Sequence, residues 1–183
     1  MSHVSVKDLC YEVSGRVGIV TGASSGLGVI FAETLAESGV NVVIAARRYD
    51  KLAEVEKKLE EKFGARVIPV QTDVTREKDV EKMVRTAVEN FGEVDILVNN
   101  AGAATISPSI EMSLEEWNRV ISVNLTGVFL CARAAAKEMM KKKYGKIINI
   151  ASIYGAVGDV FPSAPYYATK GAVINLTRAF AIE

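Results

Sequence analysis

Five short apolar runs alternate with helical patterns along this chain, and no other feature constrains its fold as strongly. The run 40–46 is rich in β-branched residues without polar alternation, which is typical of a strand buried on both faces of a parallel sheet. This order predicts a doubly wound parallel α/β sheet, with ligands at the carboxyl ends of the strands. Strands are predicted at 15–21, 40–46, 66–71, 95–99 and 146–151, and helices near 30–36 and at 50–63, 75–91, 113–120, about 124–142 and from 166.

The composition predicts one domain and excludes several partners. The 183 residues contain no linker, repeat or low-complexity segment, so a single domain over residues 1–183 is expected. Lysines and arginines total 22, as do aspartates and glutamates, and neither sign forms a long run, so we expect no nucleic-acid or membrane partner. The N-terminus has no signal-like apolar core and no later apolar run approaches the length of a bilayer span, so the cytoplasm is the expected location.

Histidine and cysteine are scarce in this chain. His3 is the only histidine, so a His-based catalytic triad or a His-rich metal site is not expected. Cys10 and Cys131 lie far apart in sequence, and without an export signal we expect them to be reduced. We therefore predict no metal site.

A glycine-rich turn, T-G-A-S-S-G-L-G at 21–28, connects the first predicted strand to the first helix, where a dinucleotide pyrophosphate binds helix amides. Gly22 permits the tight exit from the strand, Gly26 the approach of backbone to phosphate, and Gly28 the packing of helix on sheet. A turn without a ligand, or a site for a flavin or S-adenosylmethionine, is compatible with the turn alone. The predicted cofactor loop consists of Gly22, Ser24, Ser25, Gly26, Leu27 and Gly28.

The residues after the second and third strands favour NADP over NAD. NAD-preferring folds usually place a carboxylate after the second strand, but Arg47 and Arg48 stand here and no carboxylate follows until Asp50. Guanidinium groups suit a ribose 2′-phosphate, although both arginines also fit a solvated helix start. Asp73, followed by Val74, is a candidate adenine contact or simply an N-terminal helix residue.

Tyr166 and Lys170 form a candidate acid/base pair. Residues four apart on a helix lie on the same face, one turn apart. At about 5 Å and an effective dielectric of about 20, a lysine ammonium stabilises a phenolate by roughly 3 kcal/mol. The same spacing also occurs by chance on solvated helix faces. Ser152 follows the fifth predicted strand.

Two asparagine-containing segments lie upstream of that pair. Asn100, Ala101 and Gly102 follow the fourth strand, beside the expected cofactor groove, and Asn124 opens the long helix after it. Alone, each is also compatible with a turn or a cap.

Together these motifs resemble the short-chain dehydrogenase/reductase family. The resemblance covers residues 15–183 and rests on T-G-x-x-x-G-x-G at 21–28, N-N-A-G at 99–102, Asn124, Ser152, and Y-x-x-x-K at 166–170. It implies a Rossmann-type doubly wound sheet and an oxidoreductase that interconverts a carbonyl and a secondary alcohol.

The resemblance also implies a role for each matched residue. Tyr166 would be the general acid/base, Ser152 would bind the substrate oxygen, and Asn124 would position a relay water. Lys170 would hold the nicotinamide ribose and favour the phenolate, and an arginine at the place of Arg47 accompanies NADP in the family. A homodimer or homotetramer through the helices starting near 124 and 166 is expected by resemblance, as is a sugar-acid, polyol or 3-oxoacyl thioester substrate.

Family members are usually longer than this chain. Strands and a substrate loop expected after residue 183 are missing, so a C-terminally truncated domain or a fragment is predicted. A catalytically silent NADP-binding or scaffold module is the alternative. Without a sixth strand, residues 147–150 would form an exposed apolar edge, which predicts poor solubility or self-association. Tyr154 and Tyr167 do not fit the catalytic spacing, and we expect Tyr167 to pack or line the pocket.

Overall fold

The computed structural model describes residues 13–183, which form a five-stranded parallel sheet in the order β3-β2-β1-β4-β5 with helices on both faces. This confirms the predicted doubly wound architecture. The strands are β1 (Val17–Thr21), β2 (Asn41–Ala46), β3 (Val67–Gln71), β4 (Ile96–Asn99) and β5 (Lys146–Asn149). The helices are α1 (Leu27–Glu37), α2 (Tyr49–Phe63), α3 (Glu77–Phe91), α4 (Leu114–Ile121), α5 (Gly127–Lys141) and α6 (Ala164–Phe180).

Strand β1 lies at the centre of the sheet, with β2 on one side and β4 on the other. All five of its residues are buried, and Gly18 is in register with Val42 of β2 and Ile96 of β4. The first three strands follow one another towards one edge of the sheet, whereas β4 and β5 lie on the other side of β1, so the order of strands reverses between β1 and β4. In doubly wound folds this reversal opens a crevice at the carboxyl ends of the strands, where ligands bind.

Two apolar layers cover the sheet. On one face, Ile19 and Leu97 pack with Met83 of α3 and Cys131 of α5. On the other face, β1 and β2 pack against α1 and α2, where Leu52 is fully buried. Burial raises the pKa of the Cys131 thiol to about 12, so this cysteine is an inert core residue. His3 and Cys10 lie outside the described residues.

The helix after β4 differs from the sequence prediction. We expected separate helices at 113–120 and about 124–142, whereas α4 and α5 are joined by a π-helical segment, Ser122–Thr126, in which the Gly127 N–H bonds the Ser122 carbonyl. A capping box is present at the start of α4, where Ser113 and Glu116 exchange hydrogen bonds.

The combined helix Leu114–Lys141 also corrects an expectation about membranes. Its length and mean hydropathy of 1.3 meet those of a bilayer span, whereas we expected no apolar run near that length. Within its most apolar stretch 44% is buried, and α5 packs on α3 and β4, as a core helix does.

The ends of other helices and strands differ from the sequence prediction by a few residues. Helix α6 begins at Ala164 rather than Tyr166, because Pro165 suits a first helical turn. It ends at Phe180. Strand β5 ends at Asn149, at the edge of the sheet, and Ile148 is 48% exposed there.

Candidate functional site

An open cleft of about 670 Å³ lies at the carboxyl ends of the strands. It brings together most of the residues that the sequence singled out, from both halves of the sheet. Those lining it are Gly22, Ser24, Ser25, Leu27, Arg47, Arg48, Asp73, Val74, Asn100, Ala101, Gly102, Ser152, Tyr166 and Lys170. Gly26, Gly28 and Asn124 do not line the cleft, but Gly28 and Asn124 contact residues of its wall, Gly22 and Ala103.

Several lining residues were not predicted, among them Thr72, Ala103, Val123 and Ile150. Thr72 directly follows β3 and Ile150 directly follows β5. The general rule that ligands bind beyond the carboxyl ends of parallel strands could have found both. Val123 gave no comparable signal, since it reaches the cleft through the π segment.

The glycine-rich turn is locked to the end of β4 by close contacts. The Thr21 hydroxyl accepts hydrogen bonds from the backbone N–H groups of Asn100 and Ala101, both 3.1 Å long. The Asn100 side-chain amide donates to the Thr21 carbonyl at 3.0 Å. A Cβ on Gly28 would lie 2.3 Å from the Gly22 carbonyl oxygen, so only glycine fits there. The turn therefore has one shape, set by β1, β4 and α1 together.

The N-terminus of α1 is suited to an anion. Its N-cap, Gly26, has φ 58° and makes no side-chain hydrogen bond to the first helical amides. A Cβ on Gly26 would meet no atom within 4 Å, so this backbone borders open space. Free amides and the helix dipole attract a phosphate group, and the residues present thus fit a dinucleotide pyrophosphate.

Arg48 extends this anion-binding surface. Its guanidinium donates to the hydroxyls of Ser24 and Ser25 at 3.2 and 3.0 Å, which places its charge beside the turn. Arg47 lies close enough to Asp73 to influence that carboxyl. Both arginines are exposed and line the cleft, and Arg48 is also the N-cap of α2, so a solvated helix start and a place in the cofactor cleft apply to it together.

Asp73 has a structural partner within its own turn. Its Oδ1 accepts hydrogen bonds from the Thr75 N–H at 3.0 Å and the Thr75 hydroxyl at 2.7 Å. Desolvation raises the pKa of Asp73, but the Thr75 hydrogen bonds and the charges of Arg47 and Arg76 outweigh it, and the pKa is lowered overall. Asp73 therefore stays ionised while it both closes the turn before α3 and lines the cleft.

Asn124 is buried within the π segment, at 1% exposure. Its amide oxygen accepts from the Ala103 N–H at 2.7 Å, and its amide nitrogen donates to the Ala103 carbonyl at 2.8 Å and to the Thr169 hydroxyl at 3.3 Å. The side-chain atoms of Asn124 bind protein groups, and the relay-water role that the resemblance implies stays a prediction. Asn124 thus fixes the loop after β4 against α6.

Lys170 and Tyr166 adopt the geometry that their spacing predicted. The Lys170 ammonium lies 5.5 Å from the centre of the Tyr166 ring and donates to the Ile150 carbonyl at 2.6 Å. Lys170 is 6% exposed, and burial lowers its pKa. The hydrogen bond to Ile150 thus holds the ammonium in place beside the Tyr166 ring.

Ser152 completes the cluster at the end of β5. Its hydroxyl accepts a hydrogen bond from the Tyr154 N–H at 3.2 Å and begins the short turn Ile153–Gly155. Because that bond uses the oxygen as an acceptor, the hydroxyl hydrogen remains able to donate to a ligand oxygen in the cleft. A phenol, a hydroxyl donor and an ammonium thus converge beside a dinucleotide-shaped groove.

The family model for short chain dehydrogenase matches residues 16–183. The chain belongs to the short-chain dehydrogenase family. It is 44% identical over 171 residues to an uncharacterized oxidoreductase of Thermotoga maritima, covering 93% of this chain and 66% of the relative. It is 39% identical to a 3-oxoacyl-[acyl-carrier-protein] reductase of Synechocystis, covering 93% of this chain and 69% of the relative.

Solved structures agree with the short-chain dehydrogenase assignment. A short-chain type dehydrogenase/reductase from Mycobacterium marinum superposes with a TM-score of 0.92 at 37% identity, over 98% of this chain and 72% of that one. An actinorhodin polyketide ketoreductase was solved with NADPH (TM-score 0.87, 37% identity, 91% and 64% coverage). A xylitol dehydrogenase was solved with NAD⁺ (TM-score 0.89, 34% identity, 94% and 66% coverage). The chain spans about two thirds of the length of the curated relatives it matches.

Proposed function

We propose that this chain carries the catalytic centre of an NADP(H)-dependent oxidoreductase that interconverts a carbonyl and a secondary alcohol. The observation that carries the proposal is the buried Lys170 ammonium, 5.5 Å from the ring of Tyr166 at the end of the cofactor cleft. Each of the other site groups then has a chemical task.

In the direction of reduction, Tyr166 gives its phenolic proton to the substrate oxygen, and in oxidation it takes that proton back. Lys170 stabilises the phenolate, and Ser152 donates a hydrogen bond to the substrate oxygen as charge develops there. A bound nicotinamide would supply or accept the hydride at the carbonyl carbon. Asn124 holds the cleft wall at Ala103 in place.

Tyr166→Phe tests this proposal. The variant should bind NADPH with nearly unchanged affinity but lose turnover, because only the reacting proton is removed. Turnover is followed by cofactor absorbance with a panel of ketones, sugars, polyols and 3-oxoacyl thioesters. Tyr144→Phe, which removes a phenolic hydroxyl outside the cleft, is the matched control and should keep its activity. Unchanged turnover in Tyr166→Phe would refute the assignment.

The same panel addresses the substrate class. The resemblance to a 3-oxoacyl-[acyl-carrier-protein] reductase supports a thioester, and the resemblance to a xylitol dehydrogenase supports a polyol. Cofactor binding without turnover of any member of the panel would favour the alternative, a catalytically silent NADP-binding module.

The preference for NADP over NAD rests on Arg47 and Arg48. Both line the cleft, and Arg48 donates hydrogen bonds to Ser24 and Ser25 of the glycine-rich turn, which supports binding of a 2′-phosphate. We expect Arg48→Ala to weaken NADPH binding about 10- to 100-fold, the value of one charge-assisted contact, and to leave NADH binding unchanged. Fluorescence titration with both cofactors measures the difference. Equal losses for the two cofactors would contradict the preference.

A homodimer or homotetramer in the cytoplasm is part of the same proposal. Helices α5 and α6 present an aromatic pair, Phe129 and Phe180, with ring centres 6.2 Å apart, and Phe129 is 38% exposed. We expect Phe129→Glu to shift the chain towards the monomer in light scattering, because a charge would be buried in the contact. A wild-type chain that is already monomeric would argue against this contact.

A further inference from the structure

Four aromatic rings pack together at the site, and one of them is the proposed acid/base, Tyr166. Tyr154 and Phe161 stack on each other with ring centres 5.8 Å apart and an interplanar angle of 13°. Both meet the ring of Tyr166 nearly at right angles, at 6.4 Å and 76° for Tyr154 and at 6.3 Å and 88° for Phe161. Tyr167 packs on Tyr154 at 5.0 Å. Edge-to-face contacts at these separations are favourable and depend on ring orientation.

Asp159 connects this cluster to the loop that carries Phe161. The Tyr154 hydroxyl donates to Asp159 Oδ2 at 3.3 Å, and the Tyr167 hydroxyl donates to the Asp159 backbone carbonyl at 3.2 Å. The second carboxylate oxygen accepts from the Val160 N–H at 2.7 Å. Desolvation and the Asp159 charge raise the pKa of Tyr154, so its hydroxyl remains a donor. The loop is thus held to the rings by two side chains.

The backbone on the other side of the cluster is equally restrained. A Cβ on Gly155 would lie 2.7 Å from the Lys170 carbonyl oxygen, so the turn after Ser152 lies directly against α6. The Lys170 ammonium is fixed on the Ile150 carbonyl. The phenol ring of Tyr166 is therefore the part of the catalytic pair whose orientation depends on side-chain packing.

We propose that Tyr154 and Phe161 are positioning residues that fix the ring of Tyr166, and that Asp159 holds them in place. The inference rests on the proposed function of Tyr166 as acid/base. A phenol turned away from the substrate oxygen transfers its proton poorly, because catalysis requires near-attack geometry and a displacement of about 1 Å costs on the order of 100-fold.

The first test compares two substitutions at one position. Tyr154→Leu removes the ring and should lower kcat about 10- to 100-fold with unchanged NADPH affinity, whereas Tyr154→Phe keeps the ring and should restore most of the activity. Phe161→Leu should behave like Tyr154→Leu, and it serves if Tyr154→Leu does not fold. Tyr154→Phe and Asp159→Ala both remove the Tyr154–Asp159 hydrogen bond, and Asp159→Ala also removes the bond to the Val160 N–H, so the double variant should be no slower than Asp159→Ala alone.

The second test does not require turnover. With ¹³Cζ-labelled tyrosine, the chain gives six signals, and the one lost in Tyr166→Phe belongs to Tyr166. This signal should be single and sharp in the wild type and in Tyr154→Phe, and it should broaden or split in Tyr154→Leu and Phe161→Leu. If the wild type lacks turnover, the proposed function fails, and this signal alone decides the positioning role.

An unchanged Tyr166 signal in both leucine variants would overturn the inference, whatever happens to kcat. A changed signal with unchanged kcat in an active enzyme would overturn it as well, because the packing would then have no catalytic effect.

Discussion

Gly28→Ala should damage the cofactor site through sterics alone. The added Cβ would lie 2.3 Å from the Gly22 oxygen, 2.8 Å from the Gly22 carbonyl carbon and 2.7 Å from Asn100 Nδ2. Two of these atoms are backbone, so relief requires the turn to move away from α1. Overpacking costs up to about 3 kcal/mol, and the helix propensity of alanine returns about 1 kcal/mol, which leaves a net loss of about 2 kcal/mol.

For a chain of this length, such a loss lowers the melting temperature by about 4–8 °C. Thermal unfolding without cofactor measures it. Fluorescence titration should also show at least about tenfold weaker NADPH binding, because Gly22 and Asn100 form the cleft wall.

Gly64→Ala is the matched control. Gly64 ends α2 with φ 65°, and a Cβ there would meet no atom within 4 Å. The left-handed conformation alone costs an alanine about 1–2 kcal/mol, so this variant should lose stability without losing NADPH affinity. If Gly28→Ala were as stable as the wild type and bound NADPH equally well, the close approach of Gly28 to Gly22 would not constrain the site.

Three further predictions concern the scaffold. Asp95 is fully buried and accepts hydrogen bonds from the Val17 N–H at 2.8 Å and from Lys142 at 2.5 Å. Asp95→Ala should therefore lower the free energy of unfolding, measured in urea, by about 3 kcal/mol, and a decrease below about 1 kcal/mol would contradict this. The Lys62 hydrogen bond lowers the pKa of Glu33 below its ordinary 4.5, so the pair stabilises the fold above that pH and the contribution disappears as the pH falls through the folded-state pKa. Glu33→Gln should therefore cost less than about 1 kcal/mol at pH 7, and its unfolding midpoint should converge with that of the wild type under acid; a constant difference would count against the linkage. Ile148→Lys places a charge on the exposed edge of β5 and should reduce self-association in light scattering, whereas equal association in both proteins would exclude this edge as its cause.

The sheet could be predicted from sequence because its signals are local. The β-branched run of β2 has no polar residue among its buried positions, Val42–Ala45, and only a strand covered on both faces reads that way. Chain order and the preference for right-handed crossovers then leave few arrangements. The spacing of Tyr166 and Lys170 on α6 was equally local, and the structure places the two groups as expected.

The remaining features of the site depend on contacts between distant residues. Nothing near Asn124 in sequence indicates that its amide would bind Ala103 and Thr169, because these partners lie on a loop and on another helix. Asp159 lies only five and eight residues from its partners Tyr154 and Tyr167, but the loop that brings them together has no regular helix or strand pattern that would predict the contact. Local propensity carries no information about such pairs until the chain is folded.

The π segment between α4 and α5 determines the rotational phase of the whole helix. If its residues wound as a regular α-helix with no change in chain length, α5 would turn by roughly 100° relative to α4, the angle of one residue. Cys131 and Ala135, now fully buried, would leave the sheet, while Val120 remained inside. The burial of both flanking helices therefore maintains the π-helical turn that carries Asn124. Because Asn124 binds Ala103, the hydrophobic core also holds this part of the cleft wall in position.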